Sequence, residues 1–226
     1  MKCSARESPP NGDRGEGGIA ARSVCAVIAG PIASGKTTAL RSIMAALTAD
    51  GLRVRAVVQE ADARREDGKA LGFSMEYLDG NGGVFNARRE RLARETAPGE
   101  TLEDGELLFG RFRFAASAFR LAEQFIREAG EGLDGAEILG IDEIGHLELE
   151  RAAGLKSALD FALESAARPN GPLLVLAARD DCAPILGRYA DARGVGTMLI
   201  EASDPAACLR AVRGLLRRRL PERSAF

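Results

Sequence analysis

Residues 29–42, AGPIASGKTTALRS, set a glycine, four unconstrained positions and Gly35-Lys36-Thr37 ahead of a stretch with helical spacing. The pattern G-x-x-x-x-G-K-[ST] points to a phosphate loop when a buried strand precedes it and an amphipathic helix follows. Both flanks are present. Upstream, residues 23–29, SVCAVIA, form a short apolar, β-branched run without polar alternation, as expected of a parallel strand covered on both faces. Downstream, Leu40, Ile43, Met44 and Leu47 recur at i, i+3, i+4 and i+7, and Gly51 stops the run.

Holding a phosphate chain requires inward-facing backbone N–H groups, glycines that let the chain wrap closely, and the partial positive charge of a helix N-terminus. Gly30 and Gly35 supply the freedom, with Pro31, Ile32, Ala33 and Ser34 completing the cradle. Lys36 is expected to reach the β- and γ-phosphates of a nucleoside triphosphate. The Thr37 hydroxyl is expected on Mg²⁺ and Thr38 near the α-phosphate.

Beyond the loop, residues 52–58 read as a second buried strand. Residues 70–90, ALGFSMEYLDGNGGVFNARRE, then alternate and carry Asp79-Gly80 and Gly82-Gly83 as turn signals, so an antiparallel hairpin inserted into a parallel scheme is expected. Residues 105–114 read as one strand, and 115–129 as a helix packing Phe119, Ala122, Phe125, Ile126 and Ala129. In the last third, Ala152, Leu155, Leu159, Ala162, Leu163 and Ala166 share a helix face. PLLVLAA (172–178) and VGTMLIE (195–201) are strands, and Leu209, Val212, Leu216 and Leu220 line a closing helix. Alternating strands and helices predict a three-layer α/β domain over 21–226. Residues 1–20, rich in Pro, Gly and charge, are expected to be a mobile tail without the apolar core of a signal peptide.

Between these elements, residues 135–143, GAEILGIDE, end an apolar strand in two acids. Ligands of an open parallel sheet lie at the carboxyl ends of its strands. Asp142 is therefore expected to support the Mg²⁺ opposite Thr37, and Glu143 to orient the water that attacks the γ-phosphorus. Arg179 follows the strand PLLVLAA and is expected at the same edge, stabilising transition-state charge.

With the loop, residues 68–80 (GKALGFSMEYLDG) and residues 140–150 (GIDEIGHLELE) in view, the chain resembles a family of small P-loop nucleoside-triphosphatases of thermophiles, the cancer-related nucleoside-triphosphatase family, over about residues 23–202. The family pattern is the loop, then G-x-x-x-GF leading to a Leu-x-Gly turn, then a hydrophobic residue before DEIG-x-x-EL. The resemblance implies a RecA-like, mainly parallel sheet flanked by helices. It also implies slow Mg²⁺-dependent hydrolysis of ATP, GTP and other nucleoside triphosphates, with weak base discrimination. Glu148 fills a family position without a role that its spacing dictates. The segment ADARRED (61–67) is longer than its counterpart, Glu60 matches only loosely, and His146-Leu147 replaces the expected Lys or Pro and Met.

The formal charge of -2, with both signs mixed along the chain, gives no global field for nucleic acid or an anionic membrane. No apolar run approaches the ~20 residues that cross a bilayer, so a cytoplasmic protein is expected. The four cysteines are scattered, with no C-x-x-C pair and a single histidine, so reduced structural thiols are expected rather than a zinc site or disulfides. Arg88, Arg89, Arg91 and Arg94 are expected on a charged helix face, and Arg210, Arg213, Arg217, Arg218 and Arg219 on the polar side of the last helix. Phe112 and Phe114 fit one buried face of a strand. No Asn-Lys-x-Asp motif reads guanine, so hydrolysis of ATP or of several triphosphates is the first reading. A kinase acting on a nucleotide or small molecule, and a nucleotide-dependent switch that times the binding of a protein partner, are the alternatives.

Overall fold

Strand β1 (Ser23–Gly30) sends Cys25 and Val27 into one apolar core and Ala26 and Ile28 into another, all fully buried. Burial on both faces is why the run shows no polar alternation. It also places β1 at the centre of a layered fold. The computed structural model describes residues 23–97, 99–130 and 135–219. The expected tail over 1–20, with Cys3, and Leu220 of the closing helix lie outside them.

After the glycine loop, α1 (Lys36–Ala49) buries Leu40, Ile43, Met44 and Leu47 against one face of the sheet. β2 (Val54–Ala61) leads into β3 (Gly72–Asn81) and β4 (Val84–Glu95), then β5 (Glu106–Phe109), β6 (Phe112–Ala115) and α2 (Ala116–Gly130). β7 (Ile138–Ile144) carries the two acids, and the single turn α3 (His146–Leu149) follows it. The chain closes with α4 (Lys156–Ala167), β8 (Leu173–Arg179), α5 (Ala183–Asp191), β9 (Val195–Glu201) and α6 (Pro205–Arg219).

One nine-stranded sheet runs in the order β5-β6-β4-β3-β2-β7-β8-β1-β9. The stretch β2-β7-β8-β1-β9 is parallel throughout, with β8 between the strand that ends in the glycine loop and the strand that ends in the acids. That is the expected RecA-like half. α1 and α6 cover one face, and α2, α4 and α5 pack into the core on the other, which completes the three layers.

The antiparallel half is larger than one inserted hairpin. β3, β4, β6 and β5 pair in succession and extend the sheet beyond β2. The single strand expected over 105–114 folds back on itself, because Gly110 at φ 60° makes a turn and Phe109 pairs with Phe112. Arg88, Arg89, Arg91 and Arg94 lie on β4 and not on a helix. Residues 86–89 of that strand are exposed, so no buried face imposes the alternation by which a strand is read. Phe114 is buried as expected, but so is Arg113 on the other face, 2 % exposed and ion-paired with Glu106 at 2.8 Å. Helix α5 escaped the sequence reading because Pro184 interrupts it; the proline sits in the first turn, where its missing N–H costs nothing. Ala152 precedes α4 and adopts φ 51° in the connecting loop.

Asp79-Gly80 is not a turn. Gly80 lies inside β3, and the turn is made by Gly82 and Gly83 at φ 57° and 81°. Gly80 is needed because α1 passes close: a Cβ there would stand 1.9 Å from Thr48 Oγ1. Gly80→Ala is expected to force β3 and α1 apart and to cost about 1–3 kcal/mol. Urea unfolding of the variant, with an unchanged slope and a lowered midpoint, is the check.

Candidate active site

The loop between β1 and α1 is shaped by two left-handed residues, Ala33 at φ 62° and Gly35 at φ 91°. At Gly30 the chain runs close to its own loop: an added Cβ would lie 2.5 Å from Ser34 Oγ and 3.2 Å from Ser34 Cβ, so Ser34 would have to turn away. Pro31, Ile32 and Ala33 form an exposed rim, and Thr38 is exposed on the first turn of α1. Lys36 by contrast is 5 % exposed, and its Nζ donates to Gly30 O at 3.1 Å and Pro31 O at 2.8 Å. The same ammonium stands 3.8 Å from Glu143 Oε1.

The first acid is brought to the loop by the sheet. Thr37 Oγ1 donates to Asp142 Oδ2 at 2.7 Å, joining residues 105 positions apart. Asp142 is fully buried, and its Oδ1 has no hydrogen-bond partner. Burial pushes its carboxyl up to about 7, against the lowering effect of the Thr37 hydroxyl, while the neighbouring Glu143 raises it further. A buried carboxylate oxygen without a partner beside a hydroxyl is a donor set that suits a hard divalent cation such as Mg²⁺. The Asp142–Glu143 peptide is cis. Glu143 is partly exposed, so its carboxylate is open to a water-borne reactant.

Glu148, for which the sequence offered no role, anchors the turn after the acids. It is 2 % exposed, with Oε2 accepting from Gly145 N at 3.0 Å and Oε1 from Leu155 N at 3.1 Å. Burial pushes this carboxyl up to about 7, and the two amides oppose the rise. A glutamate three positions after the residue that starts a helix is a capping signal, and it could have been read as such. Glu60 acts on the other side. At the end of β2 it accepts from Arg41 of α1 at 3.0 Å and pairs with Arg89 of β4, and Glu76 of β3 pairs with the same Arg41. The loop helix is thereby tied to the antiparallel half.

Arg179 ends β8 directly across from Gly30 in the β1–β8 register. Its guanidinium is held by Asp181 Oδ2 at 2.5 Å. Three of the other arginines singled out in the sequence have structural partners. Arg88 stacks on the Tyr77 ring, Arg94 pairs with Glu100 at 2.5 Å, and Arg213 holds Asp50 at 2.7 Å.

His146 lies beyond the acids, with Nδ1 2.7 Å from Glu150 Oε1 and Nε2 3.3 Å from Asp181 Oδ2. Two carboxylates favour its imidazolium, Glu150 most, and hold the pKa above its ordinary 6.5. The stability gained from this pairing is present below the unfolded pKa and is lost as pH rises through the folded one. Because this is the chain's single histidine, its ring protons are unambiguous. An NMR titration is expected to give a pKa above 6.5 that falls in Glu150→Gln.

A family model described as NTPase matches residues 25–202. The chain is similar to Nucleoside-triphosphatase THEP1 of Hyperthermus butylicus, 30% identical over 139 residues that cover 62% of this chain and 65% of that protein. The match thus spans just under two thirds of that relative's own length. A human cancer-related nucleoside triphosphatase solved in solution superimposes with a TM-score of 0.55 at 19% identity, covering 86% of this chain and 98% of that one. The crystal structure of THEP1 from Aquifex aeolicus gives 0.57 at 21% identity, covering 86% and 99%. At these identities the two structures establish the fold. Among the described residues, no helix is long and apolar enough to cross a membrane.

Proposed function

This chain belongs to the NTPase family, and from that premise we propose that it hydrolyses nucleoside triphosphates, ATP foremost, to the diphosphate and phosphate with Mg²⁺ as cofactor. The observation that carries this reading is the contact of Thr37 with Asp142 at 2.7 Å, which sets a hydroxyl and a buried carboxylate with one unpartnered oxygen at the mouth of a glycine loop.

The loop's backbone amides and the N-terminus of α1 receive the phosphate chain. Lys36 exchanges its loop carbonyls for β- and γ-phosphate oxygens, which carry full negative charge and are the stronger acceptors. Thr37 and Asp142 would hold Mg²⁺, which would supply positive charge against the phosphates. Glu143, next to Lys36 and partly open to solvent, orients the attacking water and accepts its proton. Arg179 at the adjacent strand end supplies positive charge to the departing phosphate. Glu148 keeps the turn after Glu143 in place. One sheet connects both halves, which supports treating residues 21–226 as a single catalytic domain.

Incubation with γ-labelled ATP is the test. With Mg²⁺, free phosphate and diphosphate are expected in equal amounts, and chelation with EDTA is expected to stop their release. Label on an added nucleotide or small-molecule acceptor would replace this reading with a kinase. A stoichiometric protein partner released by ATP, with negligible turnover, would replace it with a switch.

A further inference from the structure

The turn after β7 and the loop after β8 bring together side chains from distant parts of the sequence. His146, Asp181 and Cys182 each present one donor atom, and all three atoms lie within 4.8 Å of one another. Around a tetrahedral ion with bonds of ~2.0–2.3 Å the donors stand ~3.3–3.7 Å apart, so a pair at the outer limit of this cluster would close by about an ångström on binding. We propose that His146 Nε2, Asp181 and Cys182 Sγ form a binding site for a thiophilic divalent cation of the zinc type, separate from the Thr37–Asp142 pair.

The histidine is already arranged as a ligand. Nδ1 lies 2.7 Å from Glu150 Oε1, and a ring that donates there turns the lone pair of Nε2 toward Asp181. In the neutral ring that lone pair faces a carboxylate oxygen at 3.3 Å, two acceptors in contact, and only a proton or a cation between them removes the conflict. A carboxylate behind the imidazole is the support that histidine ligands of zinc commonly have. Cys182 is fully buried, with its sulfur toward the same cluster, so its thiol is shielded from bulk oxidants.

The donor chemistry selects the ion. Thiolate and imidazole favour Zn²⁺ or Co²⁺ over Mg²⁺, which takes oxygen. Three protein donors leave a fourth position for water, so the site is exchangeable and not a closed structural one. Proton and metal compete for it. Glu150 and Asp181 favour the imidazolium, burial pushes the Cys182 thiol up to about 11, and Arg179 donates at 2.5 Å to the same Asp181 Oδ2 that faces His146, so the ion must displace that guanidinium or use Oδ1. Binding therefore releases protons and strengthens as pH rises.

The experiment is a titration of the reduced full-length protein with Co²⁺. A stoichiometric near-ultraviolet thiolate-to-cobalt band is expected, bleached by Zn²⁺ and indifferent to excess Mg²⁺. Cys182→Ser is expected to abolish the band, and Cys3→Ser to leave it intact. Glu150→Gln, at an exposed position, is expected to weaken Co²⁺ binding by ~10-fold or more. Absence of the band, its survival in Cys182→Ser, or its loss in Cys3→Ser would overturn the proposal. None of these readings depends on nucleotide hydrolysis.

Discussion

Replacing Glu143 by glutamine is expected to leave nucleotide binding intact while phosphate release falls by a factor on the order of 10² or more. The amide keeps the size of the side chain, but it cannot take a proton from water. Glu143 Oε1 stands 3.8 Å from Lys36 Nζ and is partly open to solvent, as the proposed handling of the attacking water requires. Because the substitution removes the charge that faces the buried Lys36 ammonium at 3.8 Å, the unfolding midpoint of the variant is measured beside its turnover, to separate a loss of chemistry from a loss of fold. Turnover near that of the parent would show that another group handles the water, and Glu143 would lose its assigned role.

Lys36→Ala is expected to act earlier, on the substrate complex itself. The ammonium is nearly sealed from solvent and is surrounded by Gly30 O, Pro31 O and Glu143, so its removal deletes the main positive charge at the loop. Loss of one such preorganised donor costs ~10²–10³ in rate, and part of that should appear as weaker triphosphate binding. Fluorescent-nucleotide titration alongside phosphate release separates the two. Binding and turnover both close to the parent would mean that the loop holds something other than a triphosphate.

The two variants probe opposite ends of what could be read without a fold. The loop was legible because its signal is local: two glycines, a lysine and a threonine at fixed spacing between an apolar run and a helical one. Each of those patterns reflects constraints acting within a few residues. The acids at Asp142 and Glu143 were legible as the end of a buried strand, and their meeting with the loop followed from the rule that ligands collect at carboxyl strand ends. Arg179 followed from the same rule, and β8 does bring it across from Gly30.

The antiparallel half was read less well, for physical reasons. β4 has its exposed stretch at the Arg88 end, where nothing buries one face, and alternation is the trace that burial leaves in a sequence. Gly80 resembled a turn glycine, whereas it is required by the approach of Thr48. Glu148 looked like one more acid until Leu155 was seen to donate to it. The cysteines were expected to be structural because none belongs to a C-x-x-C pair and the chain has a single histidine, whereas neighbouring parallel strand ends bring His146, Asp181 and Cys182 within 4.8 Å of one another.

The sequence alone determined the backbone of the glycine loop, the helix that follows it and the two-sided burial of β1, since each depends on neighbours along the chain and on steric limits of single residues. Tertiary structure alone decided which acid meets Thr37 across 105 residues, which carboxylates enclose His146, and where Arg113 is buried. Those contacts depend on strand order, which is chosen by the packing of whole faces and leaves no mark at the residues it brings together.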